Sequence, residues 1–226
     1  EMINNDGRYE MDMAAYDAQM TGGEKMVILC SPHNPGGRVW TQDELQAVAD
    51  FTKRHDLILL SDEIHHDLVF GGATHIPMQN AVPDITDRLL MLTAPSKTFN
   101  FAGLHTGQVI IPDPHLREQF RRRMLALALS PNSAGQLATA AAYSPEGAEW
   151  ADALVSYIDG NRQVFDAALA SIPGLRSMPL QATYLSWVDF SGTGMSREEF
   201  TSRVEQGAGI AANHGTTFGT GGESFL

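Results

Sequence analysis

Three short runs constrain what this chain can fold into more than anything else in it. Residues 26–29 (Met-Val-Ile-Leu), 57–60 (Leu-Ile-Leu-Leu) and 89–92 (Leu-Leu-Met-Leu) are apolar throughout, where a half-exposed strand would alternate apolar with polar residues. Such runs read as strands covered on both faces, here over 25–31, 57–60 and 89–93, with a fourth strand at 107–111. Between the first two lies a helical segment. Thr41 with Glu44 three residues on is a capping-box signature, and Leu45, Val48, Ala49 and Phe51 supply an apolar stripe up to about His55. Strand, helix and strand in this order predict an α/β fold with a mainly parallel sheet. A ligand of such a sheet lies outside the carboxyl ends of its strands, and Asn34, Asp62 and Lys97 each follow one of those ends.

The second half is more helical, over 114–129, 133–143 and 146–171. From about residue 172 the texture changes. Residues 184–189 (Tyr-Leu-Ser-Trp-Val-Asp) alternate as a half-exposed strand, with Tyr184 and Trp187 reading as core. Ser196 with Glu199 repeats the capping-box signature ahead of a helix to about Gln206, and a short strand is expected at 209–212. The expected organisation is a large domain over 1–145, a connecting helix over 146–171 and a smaller α+β domain over 172–226. The 226 residues are 43% hydrophobic, enough for a sizeable core. Lys and Arg number 15 against 27 Asp and Glu, a net charge of -12, which argues against non-specific nucleic-acid binding and against an anionic membrane surface. No apolar run approaches the ~20 residues of a membrane span, and a cytoplasmic location is expected. The arginine run Arg117, Arg121, Arg122 and Arg123 reads as a solvated or ion-paired helix face. The single cysteine, Cys30, excludes an intrachain disulfide and reads as a small packing residue. Both ends, Glu1 and Phe225-Leu226, look cut.

Lys97 stands apart. Residues 89–103 deliver it from an apolar strand onto a loop of small residues, a poor place for a solubilising charge. An amine held away from water sheds its proton and becomes a nucleophile toward carbonyl carbon. Each candidate alone has a structural reading: Asp62 as a turn carboxylate, Asn34 as a turn residue beside Pro35, Lys97 as a structural lysine. His33 and His66 read as packing or surface residues, and no acidic-cysteine cluster accompanies the adjacent histidines to make a metal site.

Taken in order, Ser31-Pro32-His33-Asn34-Pro35-Gly36-Gly37, Ser61-Asp62-Glu63-Ile64-His65 and Ser96-Lys97-Thr98-Phe99-Asn100 resemble the fold-type I pyridoxal 5'-phosphate enzymes of the class I/II aminotransferase superfamily. The Asp-Glu-Ile-His and Ala-Pro-Ser-Lys-Thr-Phe-Asn stretches and Gly221-Gly222-Glu223-Ser224-Phe225 resemble its MalY/PatB-type C–S lyase branch. The resemblance implies a three-layer α/β/α large domain that binds pyridoxal 5'-phosphate. Lys97 would form the imine and move the proton at the substrate α-carbon. Asp62 would pair with the pyridine nitrogen, and Asn34 would donate to the phenolic oxygen. His65 falls where many relatives carry a tyrosine for that same oxygen, and Ser96 and Thr93 are candidate phosphate contacts. Two positions depart from the pattern: Ala94 stands where a phosphate-binding serine is common, and His105 where many aminotransferases place an arginine. The implied reaction is β-elimination from cystathionine or a related cysteine S-conjugate, giving thiol, pyruvate and ammonia. Transamination of a small-molecule amino acid is the alternative, and an aminotransferase-like regulatory module a further one. A homodimer is implied. So are further segments on both sides, carrying a phosphate loop, a ring-stacking aromatic and a carboxylate-binding arginine, so that these residues alone are expected to be poorly active.

Overall fold

The structure, a computed structural model, describes residues 2–226. The chain opens with a hairpin, β1 (Ile3–Asn5) and β2 (Arg8–Glu10), followed by helix α1 (Met13–Gln19). It then lays down β3 (Met26–Cys30), helix α2 (Gln42–Arg54), β4 (Ile58–Asp62), the short helix α3 (Met78–Ala81), β5 (Leu89–Thr93) and β6 (Gln108–Ile110). The four strands lie side by side in sequence order. The first three are parallel and β6 is antiparallel. The strands and the helix between the first two fall where the apolar runs and the cap predict them.

Helix α2 starts because Thr41 and Glu44 satisfy each other. The Glu44 N–H donates to Thr41 Oγ1, and the Thr41 N–H donates to the Glu44 carboxylate at 2.8 Å. Glu44 is also gripped by both guanidinium arms of Arg38 at 2.8 and 2.9 Å, and Arg38 lies buried over the Trp40 ring at 4.5 Å. Burial alone would raise the Glu44 carboxyl, but Arg38 and Thr41 outweigh it and hold the group below its usual range. Leu45, Val48 and Ala49 of α2 pack on Leu29, Leu59, Leu89 and Met91 of the sheet, and this is the main core.

The opposite sheet face differs from expectation. Met26, Ile28 and Val109 are exposed there, Ile28 at 68%. Strand register puts Ile28, Leu60 and Leu90 together on this face, and only Leu90 of the three is buried. The apolar character is present on both sides, while α2 and α3 lie over one of them.

Helices α4 (Pro114–Ala126), α5 (Ser133–Ala142) and α6 (Pro145–Ala170) follow, then β7 (Arg176–Ser177), β8 (Val188–Asp189) and α7 (Arg197–Ser202). Arg121 and Arg122 both pair with Glu118 at the surface of α4, the ion-paired face expected of the arginine run. Ser196 caps α7 by accepting from the Glu199 N–H, but the returning carboxylate is that of Glu198, because Glu199 is paired with Arg203 at 2.9 Å. Two expected strands differ. The alternating stretch 184–189 pairs only over Val188–Asp189, since Thr183 turns left-handed just before it (φ 73°). Residues 209–212 form no strand, and the Ile210 N–H instead donates to the Val204 carbonyl. Among the described residues no helix is long and apolar enough to cross a membrane.

Candidate active site

Asn34 is carried by the turn that leaves β3. The Ser31 N–H donates to the Asp62 carbonyl at 2.9 Å, so this turn starts tied to the end of β4. Cys30 Sγ accepts from the Asn34 N–H at 3.4 Å. Burial pushes the Cys30 thiol up, the Asn34 N–H opposes that, and the Asp62 charge adds to the rise. The Asn34 backbone and the Asp62 carboxylate therefore act on one sulfur atom. His33 is buried between the edges of Tyr9 and Trp40, and its Nδ1 accepts from the Gly36 N–H at 3.3 Å. It is the packing residue the sequence suggests. Gly37 is required: at φ 64° a side chain is strained, and a Cβ would come within 2.3 Å of Leu180.

Asp62 and Glu63 follow one another and face opposite ways, as strand geometry demands. Asp62 shares its face with Cys30 and Leu92, and its Oδ1 accepts from the Ile64 N–H at 3.2 Å. Glu63 turns into the core, where it accepts from Ser61 Oγ at 2.8 Å, the Met78 N–H at 2.9 Å and His75 Nε2 at 2.9 Å. The sequence reading passed over Glu63. The signal was present in the alternation of Ser61, Asp62 and Glu63, which puts the outer two on the helix-covered side.

His65 is 3% exposed, and its Nδ1 has no hydrogen-bond partner among the described residues. Burial, then the nearby charges of Lys97 and His66, hold its pKa at about 4, so the imidazole is neutral near pH 7. Lys97 itself is half-buried in a turn over 95–100, closed by Phe99 N–H to Pro95 and Phe101 N–H to Ser96. Its neighbours are pinned. Buried Thr98 donates to Asp67 at 2.8 Å, and Phe99 stacks on Trp150 of α6 at 5.2 Å. Ser96 is half-buried in the same turn. Thr93 is not brought to this group. It faces away from Asp62 and Leu92, and its hydroxyl donates to Gln108 at 3.4 Å. His105 is exposed.

A segment that the sequence reading did not single out joins these loops. The N–H groups of Gln181 and Ala182 donate to the Gly37 carbonyl at 2.9 and 3.0 Å. The Phe70 N–H donates to Gln181, and the Thr183 N–H to Leu68, each at 2.8 Å. Such long-range backbone bonds leave no periodic trace in a sequence. Tyr184, expected in the core of the smaller unit, is instead 44% exposed and stands edge-on against His65 at 5.7 Å. Trp187 is core, stacked on Phe225. A cleft of about 490 Å³ opens beside Asn34, walled by Tyr9, His33, Trp187 and Phe218. A wider one of about 740 Å³, between the hairpin and α6, is lined by none of the candidate residues. Among the described residues no group of three or more His, Cys, Asp or Glu is placed to hold a metal ion.

The donor set fits pyridoxal 5'-phosphate. An amine, a carboxylate and an amide stand at or just after the carboxyl ends of three adjacent parallel strands, and His65, whose Nδ1 is unpartnered among the described residues, feels the charge of the amine.

The two buried histidines make the fold acid-sensitive. His33 is held at about 4, by burial first and then by Arg38, and His65 at the same value. An unfolded histidine titrates near 6.5, so the unfolded chain takes up these protons first as the pH drops. The stability they confer is complete above about pH 6.5 and is lost toward pH 4, up to about 3 kcal/mol for each residue. Thermal unfolding of the full-length apoprotein should show this slope, and His33→Asn, which keeps an acceptor for the Gly36 N–H, should flatten it. An unchanged slope in that variant would contradict the assignment.

Fold and site together define a class I/II aminotransferase-like protein. Residues 3–226 match the family described as aminotransferase class I and II, and the chain belongs to that family. PatB of Bacillus subtilis (strain 168), a cystathionine beta-lyase, is 35% identical over 233 residues, covering 100% of this chain and 59% of PatB. Protein MalY of Escherichia coli (strain K12) is 34% identical over 219 residues, 95% of this chain and 55% of MalY. Cystalysin from Treponema denticola, whose crystal structure contains pyridoxal 5'-phosphate, superposes with a TM-score of 0.92 at 33% identity, over 99% of this chain and 57% of cystalysin. The chain thus spans less than two thirds of the length of these relatives.

Proposed function

We propose that the full-length protein is a pyridoxal-phosphate-dependent carbon–sulfur β-lyase, releasing thiol, pyruvate and ammonia from cystathionine or a related cysteine S-conjugate. The observation that carries this reading is that Asn34, Asp62 and Lys97 stand at or just after the carboxyl ends of three adjacent parallel strands, with a neutral, buried His65 that feels the charge of the lysine. The likeness to PatB and MalY supports elimination over transamination.

Bound there, the cofactor would withdraw electrons from the substrate α-carbon. The chain's own residues divide the remaining work. The Asp62 carboxylate would keep a proton on the ring nitrogen. Asn34 would donate to the phenolic oxygen, and neutral His65 would offer that oxygen a second partner without adding charge. Lys97 takes the α-proton, and its backbone is steady because Thr98 and Phe99 are anchored on either side of the turn. Ser96, half-buried in the same turn, would contact the phosphate. Thr93 faces the other side of the sheet and is not assigned that role.

The working protein is inferred to be a cytoplasmic homodimer, with a large domain over 1–145, a connecting helix over 146–171 and a small domain over 172–226. The apolar side chains that α6 leaves exposed, Tyr157 at 69% and Val164 at 73%, support a covered surface there in the assembly. The test is a cystathionine assay of the full-length protein with pyridoxal phosphate and no keto acid. Pyruvate and thiol should appear in equal amounts. Strict dependence on a keto-acid acceptor would replace the lyase reading with transamination.

A further inference from the structure

We infer that Tyr184 is a substrate-positioning residue, aimed at the site by the strap of residues 180–184. The inference rests on the lyase reading and adds to it a protein group that touches the substrate's sulfur side.

The strap is tied at both ends of its short run. Through Gln181 and Ala182 it hangs from Gly37, in the turn that carries Asn34. Through Gln181 and Thr183 it is bonded to Phe70 and Leu68, in the loop that carries His65. The Gln181 side chain adds a third tie by accepting from the Val39 N–H at 3.2 Å. Thr183, completely buried, is held at φ 73°. A β-branched residue adopts that conformation only where its surroundings impose it, and such residues gather at functional sites. Its hydroxyl oxygen accepts from the Leu185 N–H at 3.1 Å, closing the kink. The kink breaks the strand and turns the next side chain outward. Tyr184 lands on His65 at 5.7 Å with an interplanar angle of 72°.

His65 is the residue whose titration responds to Lys97. Tyr184 therefore packs edge-on against the imidazole that feels the charge of the amine, with nearly half of its own surface open. Beside it lies a cleft of about 300 Å³ bordered by Ile158, Asn161, Arg162, Phe165, Leu180 and Ser186. A thioether suits such a ring, because sulfur–aromatic contacts are favourable and tolerant of angle. The ring holds the substrate sulfur and fixes the orientation of His65.

The test uses the full-length holoenzyme with Tyr184→Phe and Tyr184→Leu. Tyr184→Leu removes the ring at a position that is 44% exposed, so the fold should survive it. It should raise KM for cystathionine up to about tenfold, the span of a sulfur–aromatic contact. It should also shift the pH titration of the bound cofactor's visible absorbance, because His65 loses its support. Tyr184→Phe keeps the ring and should leave KM within about twofold. Unchanged KM and unchanged absorbance titration in Tyr184→Leu, whatever its unfolding temperature, would assign Tyr184 to packing and overturn the inference. A Tyr184→Phe variant as impaired as Tyr184→Leu would overturn the role of the ring. Wild-type protein without turnover would bring down the lyase reading and this inference with it.

Discussion

Lys97→Ala in the full-length protein should lower β-lyase turnover by at least about 10³-fold, since one side chain is asked to supply both the nucleophilic amine and the α-proton base. It should also abolish borohydride-fixed attachment of pyridoxal phosphate, read as a missing mass increment. Lys97→Arg should fail equally, because a guanidinium keeps its proton and cannot attack a carbonyl. The fold should survive both changes. The turn over 95–100 is held by Thr98 on Asp67, by Phe99 on Trp150 and by two backbone bonds, none of which uses the Lys97 side chain. Unfolding temperatures close to wild type would therefore accompany the loss of activity. Retention of activity within about tenfold, or cofactor fixed to another lysine, would remove Lys97 from the centre of the site.

The placement of Lys97 in a turn after β5 was legible because its signal is local: an apolar strand, then a loop of small residues. The same holds for β3, β4, β5 and α2, whose runs and cap are written in neighbouring residues. Tertiary constraint was harder to read. The apolar strands announce burial without stating which elements provide it, and in residues 2–226 one sheet face stays largely bare at Met26, Ile28 and Val109. The alternation at 184–189 reads as a strand with Tyr184 inside, yet the left-handed Thr183 is set by carbonyls more than a hundred residues away, at Leu68 and Gly37. Nothing in the local pattern could reveal it. Arg38 and Glu63 were missed for the related reason that a buried charge looks, in sequence, like an exposed one until its partners Glu44 and His75 are placed.

The neighbours Asp62 and Glu63 permit a sharper test of where chemistry ends and structure begins. Asp62→Asn keeps the shape of the side chain and an oxygen to accept the Ile64 N–H, so stability should change little. What it removes is the negative charge that keeps the cofactor ring nitrogen protonated. Loss of one preorganised electrostatic partner at a reacting centre typically costs about 10²–10³-fold in kcat, and that is the expected effect, with the cofactor still attached at Lys97. Glu63→Gln should do the reverse. Glu63 accepts from Ser61, Met78 and His75 in a site where its side chain is 2% exposed. A neutral amide turns one accepting atom into a donor facing donors, at a cost of about 3 kcal/mol. Its carboxylate points away from Asp62, so the folded fraction should keep near-normal kcat. Steady-state kinetics beside thermal unfolding of both variants separates the two roles. If Glu63→Gln lost rate while keeping its unfolding temperature, or Asp62→Asn kept its rate, the division of the strand end into a reactive face and a structural face would be wrong.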